Sequence, residues 1–317
     1  MRFSLCGGGS DLPEFLAQED FGQTLTTTIN KHVYVAIHAS SNEKYRFVYS
    51  EIEECEDIQE IKHRILKELF SYQNTSEKIE LFSIADLPAK GTGLGASSAF
   101  CLAAVAAVSE YNQVKKSNLE YAKIASHIEM QMAGSSAGFQ DQYASASGGV
   151  TLLEFSNTGL IQATPIDKNL PEANGLIQWL DEHFVFVRSP GSRDSSQILK
   201  EIKFSDSKVR KLQREIRDLV PNAISAILQR DINVLGSIMD QNWSMKKELS
   251  PASSNLTIDA LYGRGLENGA LGGKLLGAGG SGYVVFAVES KEQFLQSMGL
   301  PETNIHITGE KLEVQEI

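Results

Sequence analysis

The amino-acid sequence predicts an α+β fold divided into two domains. Segments with strand propensity are interspersed with amphipathic helical segments in both halves of the 317-residue chain, which is typical of this class. Hydrophobic residues form 42% of the chain and charged residues 22%, so it has enough apolar material for substantial cores. Residues 157–173 contain two prolines and show weak periodicity, which favours a domain joint there. We therefore expect one domain at residues 1–165 and a second at residues 166–317.

The first half of the chain begins with strands and continues into helices. Thr, Val, Ile and Tyr are enriched early in the chain, which predicts two or three strands there. Apolar residues then recur at helical spacing among charged residues, which predicts amphipathic helices. The predicted strands are residues 24–39, 45–49, 78–84 and 149–155, and the predicted helices are residues 53–72, 99–111 and 118–132.

The second half carries the same mixture of elements. Pro221 is expected to separate two helices, because proline cannot continue a helix interior. The predicted strands are residues 183–188 and 283–288, with short edge strands at 305–307 and 312–314. The predicted helices are residues 207–219, 223–228, 232–249 and 257–268.

Composition and charge argue against several classes of protein. A formal net charge of −11 opposes binding to nucleic acid or to an anionic membrane. The cysteines, Cys6, Cys55 and Cys101, are odd in number and form no CxxC pair, so neither a disulfide framework nor a zinc site is indicated. The longest apolar run, residues 99–108, is too short to span a bilayer, and no secretory leader pattern opens the chain. We therefore expect a cytoplasmic protein that acts on small molecules.

The segment GTGLGASS at residues 91–98 is the strongest candidate for a ligand-binding loop. It is not a P-loop, because no lysine follows its glycines at the required place. It does match the GxGxxG/A fingerprint of dinucleotide-binding proteins, yet Pro88 interrupts the junction before it. In addition, the nearest downstream acid, Glu110, lies in a predicted helix rather than at the end of a second strand. A plain glycine–serine turn before a core helix is the third interpretation, and an isolated glycine cluster leaves it open.

The two serines at the end of this segment favour phosphate binding. Ser97 or Ser98 is predicted to cap the helix at residues 99–111. Backbone N–H groups at a helix N-terminus attract phosphate, and glycines let the ligand approach the backbone closely. A serine hydroxyl at this point would also be a ligand for Mg²⁺.

Two acids and one cation supply the other groups that phosphoryl transfer requires. Glu129 ends the helix before a bend at Gly134, and Asp141 follows that bend, so both carboxylates would lie near one metal ion. A solvated helical face is the competing explanation for Glu129. Arg2 is the candidate cation, and a disordered tail is the competing explanation for the segment that it begins.

Two further glycine segments flank these residues in the sequence. The run RFSLCGGGSDLP at residues 2–13 contains three consecutive glycines, which bring the backbone close to a neighbour, and its Asp11 favours an ordered structure. The run KLLGAGGSGY at residues 274–283 leads into a strand, and a hairpin or bulge is the competing explanation for it.

Three of these motifs, in this order, resemble the motifs of the GHMP kinase superfamily, which includes galactokinase, homoserine kinase, mevalonate kinase and phosphomevalonate kinase. Residues 87–99 resemble its P-x-x-x-G-L-G-S-S-A phosphate loop. Residues 134–141 resemble the segment with the catalytic Asp, and residues 276–283 resemble the third, glycine-rich motif. The resemblance covers nearly the whole chain. It implies a ribosomal S5 domain 2-like N-terminal domain and a ferredoxin-like C-terminal domain.

The resemblance also implies a role for each candidate residue. Asp141 would accept or orient the substrate hydroxyl, and Arg2 would stabilise the transferred charge. Ser98 and Glu129 would bind Mg²⁺. The nucleotide phosphates would contact Gly91, Gly93, Leu94, Gly95, Ala96, Ser97 and Ser98. The sugar would contact Gly8, Gly9, Asp11, Gly277, Gly279 and Gly280.

Within the superfamily, three segments are most similar to the D-glycero-D-manno-heptose 7-phosphate kinases. They are GGGSDLP at residues 7–13, QDQYA at 140–144 and WSMKK at 243–247. This similarity implies ATP-dependent phosphorylation of the anomeric hydroxyl to the 1,7-bisphosphate. A kinase of the fucokinase, galactokinase or mevalonate kinase type stays open, as does a catalytically silent relative that binds nucleotide and sugar. The implied partners are ATP, Mg²⁺ and a small sugar phosphate, with a homodimer also allowed, and neither nucleic acid nor a membrane is expected.

One departure concerns the residues before Arg2. Members of the superfamily usually begin with a strand and a short lead-in there, where this sequence has Met1 alone. We therefore expect Arg2 to be weakly anchored.

Overall fold

The structure is a computed structural model that describes residues 1–75, 77–88, 91–166, 173–190, 198–199 and 201–316. Within these residues, strands form three sheets and helices pack against them, so the architecture is α+β as predicted. The strands are β1 (Arg2–Cys6), β2 (Phe21–Ile29), β3 (Val33–Ala39), β4 (Tyr45–Val48), β5 (Ile52–Cys55), β6 (Ile79–Ala85), β7 (Thr151–Ser156), β8 (Ile161–Pro165), β9 (Phe184–Arg188), β10 (Ala270–Leu275), β11 (Tyr283–Val288) and β12 (Ile307–Thr308). The helices are α1 (Pro13–Leu16), α2 (Arg64–Tyr72), α3 (Ala96–Tyr111), α4 (Asn118–Ser126), α5 (Gln140–Ser147), α6 (Ala173–His183), α7 (Ser207–Asp218), α8 (Val220–Leu228), α9 (Ile232–Leu249), α10 (Leu256–Glu267) and α11 (Lys291–Met298).

The sheets bring distant parts of the chain together. The largest has the order β1–β2–β7–β8, and β12 pairs antiparallel with the end of β2, so the C-terminal residues join the N-terminal sheet. A second sheet has the order β3–β6–β4–β5, with β4 and β6 parallel. The third is the antiparallel sheet β10–β11–β9.

Phe3 of β1 joins the first sheet to the third. Its ring meets those of Phe184 and Phe186 on β9 edge to face, with ring centroids 6.2 and 5.1 Å apart. All three rings are buried. Truncation of one such ring costs about 3–5 kcal/mol. This core therefore fixes the strand on which Arg2, the neighbour of Phe3, is placed.

The segment at residues 53–72 differs from its prediction as one helix. Residues 52–55 form β5 and pair with β4, a single 3₁₀ turn follows at Ile58–Glu60, and the helix α2 begins only at Arg64. The reason is the side chain of Glu53, whose carboxylate accepts the N–H groups of Lys62 and His63 at 2.6 and 2.9 Å. These hydrogen bonds fold the chain back before the helix begins.

The other elements agree more closely with the sequence pattern. The helices predicted in the second half are confirmed, and Pro221 lies in the first turn of α8, at the boundary where it was expected. Residues 312–314 do not form the expected edge strand, because the Leu312 N–H and C=O bind Ser145 and Asn118 on the neighbouring helices. Part of the predicted joint forms β8, while residues 167–172 lie outside the described residues, and the division into two domains stays a prediction. Throughout the ranges given above, every helix is too short or too polar to traverse a bilayer.

Candidate active site

Arg2 and Asp141 form an ion pair at the centre of the predicted site. Arg2 lies on β1, where it pairs with Thr28 of β2, and its N–H donates to the C=O of Leu94 at 3.2 Å. Asp141 lies in the first turn of α5, where the helix dipole favours a negative charge. The side chains are only 6% and 17% exposed. The expectation that Arg2 would be weakly anchored is therefore wrong, because the strand, the ion pair and the core beside Phe3 all hold it.

Gly95 lies directly against this ion pair. Its φ of +71° is left-handed, and a β-carbon there would lie 2.9 Å from Nε of Arg2 and 3.3 Å from a carboxylate oxygen of Asp141. The absence of a side chain therefore lets the backbone of the loop at residues 91–98 approach the ion pair closely. The first N–H groups of α3 begin immediately after Gly95.

The start of α3 has no side-chain cap. The helix begins at Ala96 with Gly95 as its N-cap, so the predicted capping by Ser97 or Ser98 is wrong. Ser97 and Ser98 are the second and third residues of the helix, so both lie past the cap position. The first N–H groups of a helix have no intrahelical partner, and here the N-cap side chain supplies none, which leaves them available to an anion.

Glu129 is buried and receives the hydroxyl of Ser97. It lies in a π-helical continuation of α4, at His127–Met132, which turns its carboxylate inward. Oε1 accepts from Ser97 at 3.1 Å and Oε2 accepts from Nε2 of Gln142 at 2.7 Å, while Ser98 lies close enough to the carboxylate to lower its pKa. Burial raises the pKa of Glu129, and the nearby charge of Asp141 adds to the increase. The alternative that Glu129 lies on a solvated helical face does not fit this environment.

The residues around Glu129 suit a magnesium ion. Mg²⁺ takes oxygen ligands and is usually held by one or two protein groups together with water and substrate phosphates. A carboxylate and serine hydroxyls provide such ligands, and the described residues contain no cluster of three or more His, Cys, Asp and Glu side chains that would form a complete protein cage. Ser98 is buried, whereas Ser97 is exposed, so Ser97 is the hydroxyl that a bound ion reaches more readily.

The glycine run before Asp11 is folded against α5 and α7. Asp11 is buried and accepts hydrogen bonds from the N–H of Gly9 at 3.0 Å and from the backbone and side-chain nitrogens of Gln140 at 3.1 and 2.9 Å. Burial raises the pKa of Asp11, and these hydrogen bonds oppose the increase. Gln213 of α7 donates to the C=O of Gly8 at 3.2 Å. The segment is therefore ordered, not a disordered tail, and it lies beside the helix that carries Asp141.

The third glycine segment contacts the loop at residues 91–98 directly. It connects β10 and β11 as a hairpin, which was the competing explanation for it, and it also packs on the loop at residues 91–98. A β-carbon on Gly277 would lie 2.6 Å from Cα of Gly93, and Tyr283 donates its N–H to the C=O of Thr92 at 3.2 Å. Gly279 and Gly280 lie against Ser253, whose C=O accepts the Gly280 N–H at 2.8 Å. The structure thus brings all the predicted site segments together.

Two lysines near this contact were not assigned a role from the sequence. Lys246 on α9 donates to the C=O of Gly277, and burial, together with the charges of Lys274 and Arg2, lowers its pKa to about 7. Lys274 on β10 is buried beneath it. The sequence analysis recognised WSMKK at residues 243–247 as a motif. Its spacing does not show that Lys246 faces the site while Lys247 faces away from it.

Comparison with known proteins identifies the family. The model for the GHMP kinases N terminal domain matches residues 59–149, and the model for the GHMP kinases C terminal domain matches residues 223–299. Together they cover just over half of the chain, and the second lies beyond the predicted domain joint. The chain belongs to the GHMP kinase family. It is accordingly a kinase that transfers phosphate from ATP to an alcohol group of its acceptor, and the recognition and the fold class predicted from the sequence are confirmed.

Individual relatives of this GHMP kinase point towards sugar kinases. The chain is 28% identical over 311 residues to the D-glycero-alpha-D-manno-heptose 7-phosphate kinase of Campylobacter jejuni, an alignment that covers 93% of this chain and 89% of that protein. It is 24% identical over 318 residues to the galactokinase of Thermotoga petrophila, covering 87% and 88% of the two chains. Among solved structures, a D-glycero-D-manno-heptose 1-phosphate kinase from Bacteroides thetaiotaomicron superposes with a TM-score of 0.76 at 21% identity, covering 100% and 98%. At that identity the superposition shows the fold alone.

The topology excludes one interpretation of GTGLGA, the dinucleotide-binding fingerprint. In this GHMP kinase, α3 leads into α4 rather than into a parallel strand, so the loop lies outside the βαβ unit of a dinucleotide-binding fold.

Proposed function

We propose that this kinase phosphorylates the anomeric hydroxyl of D-glycero-D-manno-heptose 7-phosphate and produces the 1,7-bisphosphate. The relatives support a phosphorylated heptose, because the names of two of them contain a heptose phosphate. Those names differ in the position of the phosphate, 7 in one and 1 in the other, so the position on the acceptor is the point to test. The observation that carries the proposed chemistry is the Arg2–Asp141 ion pair beneath Gly95, at the end of the phosphate loop.

In this proposal Asp141 orients the acceptor hydroxyl and takes its proton. Asp141 is the more accessible member of the ion pair, since 17% of its side chain is exposed and only 6% of that of Arg2. Arg2 keeps Asp141 in place and stabilises the negative charge of the group in transfer, which is the main demand of phosphoryl transfer on a protein. A general base of this kind contributes about 10²- to 10⁴-fold to the rate.

The loop at residues 91–98 would bind the nucleotide phosphates. Gly91, Gly93 and Gly95 all have positive φ, and the N–H groups at the start of α3, beginning with Ala96, have no side-chain cap and would donate to a phosphate. Leu94 is buried and anchors the loop in the core. The phosphates would therefore lie between α3 and the Arg2–Asp141 pair.

Glu129 and a serine hydroxyl would hold Mg²⁺. Ser98 was the serine predicted from the sequence, and the exposed Ser97, 3.1 Å from Glu129, is a second candidate on the same carboxylate. When bound, the ion supplies positive charge next to the phosphates of the nucleotide.

The acceptor would lie between the glycine run at residues 7–9 and the third glycine segment. Asp11 would hydrogen-bond sugar hydroxyls beside Gly8 and Gly9, and because it is buried and already accepts from Gly9 and Gln140, a hydroxyl would replace one of these donors. Gly277, Gly279 and Gly280 would line the opposite side. The division at residues 165 and 166 into an ATP-binding domain and a second domain is part of the same proposal.

A coupled ADP-release assay tests the acceptor. The panel contains heptose 7-phosphate, heptose 1-phosphate, fucose, galactose and mevalonate, and phosphorus NMR of the product shows which hydroxyl has reacted. We expect the highest kcat/KM with heptose 7-phosphate and a new anomeric phosphate. A higher kcat/KM with an unphosphorylated sugar would favour a fucokinase- or galactokinase-type enzyme. Binding of ATP and sugar without ADP release from any acceptor would favour a silent relative, against which the presence of both Glu129 and Asp141 argues.

Two further parts of the proposal concern the setting of the enzyme. The cysteines are all free and buried, which is consistent with action in the reducing cytoplasm. A homodimer stays a prediction, which light scattering of the purified protein would test.

A further inference from the structure

Two lysines lie behind the third glycine segment without a carboxylate partner among the described residues. Lys274 on β10 is 5% exposed, and its Nζ donates to Oδ1 of Asn242 at 3.0 Å and to the C=O of Leu5 at 3.5 Å. Lys246 on α9 is half-buried, and its Nζ donates to the C=O of Gly277. Buried cations are rare unless they are paired, and here the partners are neutral oxygens.

The surroundings of these lysines carry an excess of positive charge. Burial and the neighbouring charges of Lys274 and Arg2 lower the pKa of Lys246 to about 7, and burial also lowers that of Lys274 to about 8. Asp141 already neutralises Arg2. The thiol of Cys6, beside Lys274, has a pKa raised by burial to about 12 and stays neutral. Nothing that the structure describes therefore balances the lysines.

The position of Lys246 relates this charge to the phosphate loop. Its partner Gly277 packs on Gly93, so only the glycine contact separates the ammonium group from the loop. Nε of Arg2 is also buried, has no hydrogen-bond partner among the residues that the structure describes, and faces Gly95 of the same loop. Two donors from different elements thus lie at one side of the site without an anionic acceptor.

We propose that Lys246, supported by Lys274, forms a subsite for a phosphoryl group. On binding, the ammonium group of Lys246 exchanges the C=O of Gly277 for phosphate oxygens, a charge-assisted hydrogen bond that is stronger than the neutral one it replaces. Lys274 keeps its hydrogen bond to Asn242, and its positive charge adds to the attraction for the phosphoryl group. No covalent step is involved.

Two phosphoryl groups have the required chemistry, and they predict different kinetics. If the phosphate ester of the acceptor occupies the subsite, Lys246 selects phosphorylated sugars over free ones. If the terminal phosphate of ATP occupies the subsite, Lys246 contributes equally to the turnover of every acceptor. The first source rests on the proposed function, whereas the subsite itself rests only on the geometry around Lys246.

The test compares Lys246→Met with Lys247→Met. Methionine keeps the length of the side chain without its charge, and Lys247, the next residue on α9, instead pairs with Asp259 at 3.6 Å and is the matched control. Inorganic phosphate is titrated against the full-length protein and its thermal stabilisation is recorded. We expect Lys246→Met to weaken phosphate binding roughly 10- to 100-fold, as expected for loss of a charge-assisted bond, and Lys247→Met to leave it unchanged.

Kinetics then separate the two sources. An increase in KM for the sugar phosphate, with KM for ATP and turnover of unphosphorylated sugar retained, places the acceptor phosphate in the subsite. An equal loss of kcat/KM with every acceptor places the ATP phosphate in the subsite. Lys246→Arg keeps the charge and should restore phosphate binding in part, and it also serves if the methionine variant does not fold.

Unchanged phosphate binding and unchanged kinetics in Lys246→Met would overturn the subsite. Equal losses in Lys247→Met would do the same, because they would point to a general effect of charge on α9. If no sugar phosphate is turned over by the wild type, the proposed function fails, while the phosphate titration still decides whether the subsite exists.

Discussion

Gly93 and Gly277 pack against each other so closely that a β-carbon on Gly277 would lie 2.6 Å from Cα of Gly93. Both residues have left-handed backbone, with φ of +74° and +72°. A β-carbon on Gly93 would in turn meet the C=O of Leu276 at 2.4 Å. The loop at residues 91–98 and the third glycine segment therefore hold each other in position. A change in the backbone of one segment should displace the other.

Gly277→Ala should disturb this contact and weaken ATP binding. The new methyl group forces the two loops apart, and overpacking of this kind costs about 1–3 kcal/mol in the free energy of unfolding. The left-handed backbone adds about 1 kcal/mol. The control is Gly159→Ala, where φ is +83° but no atom of the described residues lies within 4 Å of the new β-carbon. Urea unfolding and KM for ATP are measured for both variants, and equal effects would show that the loop contact is unimportant.

Asp141→Asn should abolish most turnover and preserve nucleotide binding. The amide cannot take the proton of the acceptor hydroxyl, so we expect kcat to fall about 10²- to 10⁴-fold, with the affinity for ATP nearly unchanged. The matched control is Asp218→Asn, which removes the carboxylate of another arginine pair, with Arg217 at 2.7 Å, on an exposed surface. Steady-state kinetics and ATP binding by calorimetry provide the comparison. Equal losses of kcat and ATP affinity would contradict the role of Asp141.

Alanine substitution of each serine should identify the ligand of Mg²⁺. Because Ser97 is exposed and Ser98 is buried beside the same carboxylate, we expect Ser97→Ala to increase the Mg²⁺ concentration that gives half-maximal activity more than Ser98→Ala does. Activity is measured as a function of free Mg²⁺ at saturating ATP. A larger increase for Ser98→Ala would support the residue predicted from the sequence, and no change in either variant would remove both serines from the ion.

Glu129→Gln should make the protein more stable at neutral pH and less active. Burial raises the pKa of Glu129 above its ordinary value of 4.5, so the unfolded chain ionises first. Below about pH 4.5, Glu129 therefore contributes to the stability of the folded state. This contribution is lost as the pH rises through the pKa that Glu129 has in the folded protein. The neutral amide avoids the cost, while the weaker metal ligand reduces activity.

Thermal unfolding between pH 4 and 8 checks this prediction. The difference in Tm between Glu129→Gln and the wild type should be positive at pH 7 and should shrink towards the acid end. Glu154→Gln, at an exposed position of β7, should change stability by no more than about 0.5 kcal/mol at any pH. A Tm difference for Glu129→Gln that does not vary with pH would mean that charge burial is not its cause.

Where the signal was local, the sequence alone was sufficient to predict a candidate site. The glycines at residues 91–95 and the acids Glu129 and Asp141 can be recognised in the sequence, because phosphoryl transfer requires residues of these types at such spacing. The structure brings these segments together, yet each was visible within a window of a few residues. Their roles stay predictions until the variants above are measured.

The features that the sequence missed depend on partners far away in the chain. Gln142 and Glu129 are 13 residues apart, and Lys246 meets a carbonyl 31 residues away. No periodicity distinguishes Lys246 from Lys247. The helix predicted at residues 53–72 was wrong for the same reason, because strand pairing with β4 and the contacts of Glu53 overrode the local helical spacing.

The last prediction concerns the pH dependence of anion binding at Lys246. The pKa of Lys246 is about 7 because of burial and of the two cations that face it, Lys274 and Arg2, the second of which Asp141 neutralises. The ammonium form is therefore lost as the pH rises through 7, and Lys274, with a pKa of about 8, follows. Sulfate is the suitable probe, because its own charge does not change over this range.

We expect the affinity of the wild type for sulfate to fall between pH 6 and 9. Most of the loss should occur near pH 7, as Lys246 is deprotonated, with a smaller one near pH 8. Lys246→Arg stays charged throughout, because arginine is protonated at every pH used, so its affinity should retain only the smaller change due to Lys274. The measurement is thermal stabilisation by sulfate at each pH, with Lys247→Met following the wild type. A wild-type affinity that is constant from pH 6 to 9 would show that Lys246 does not provide the charge that binds the anion.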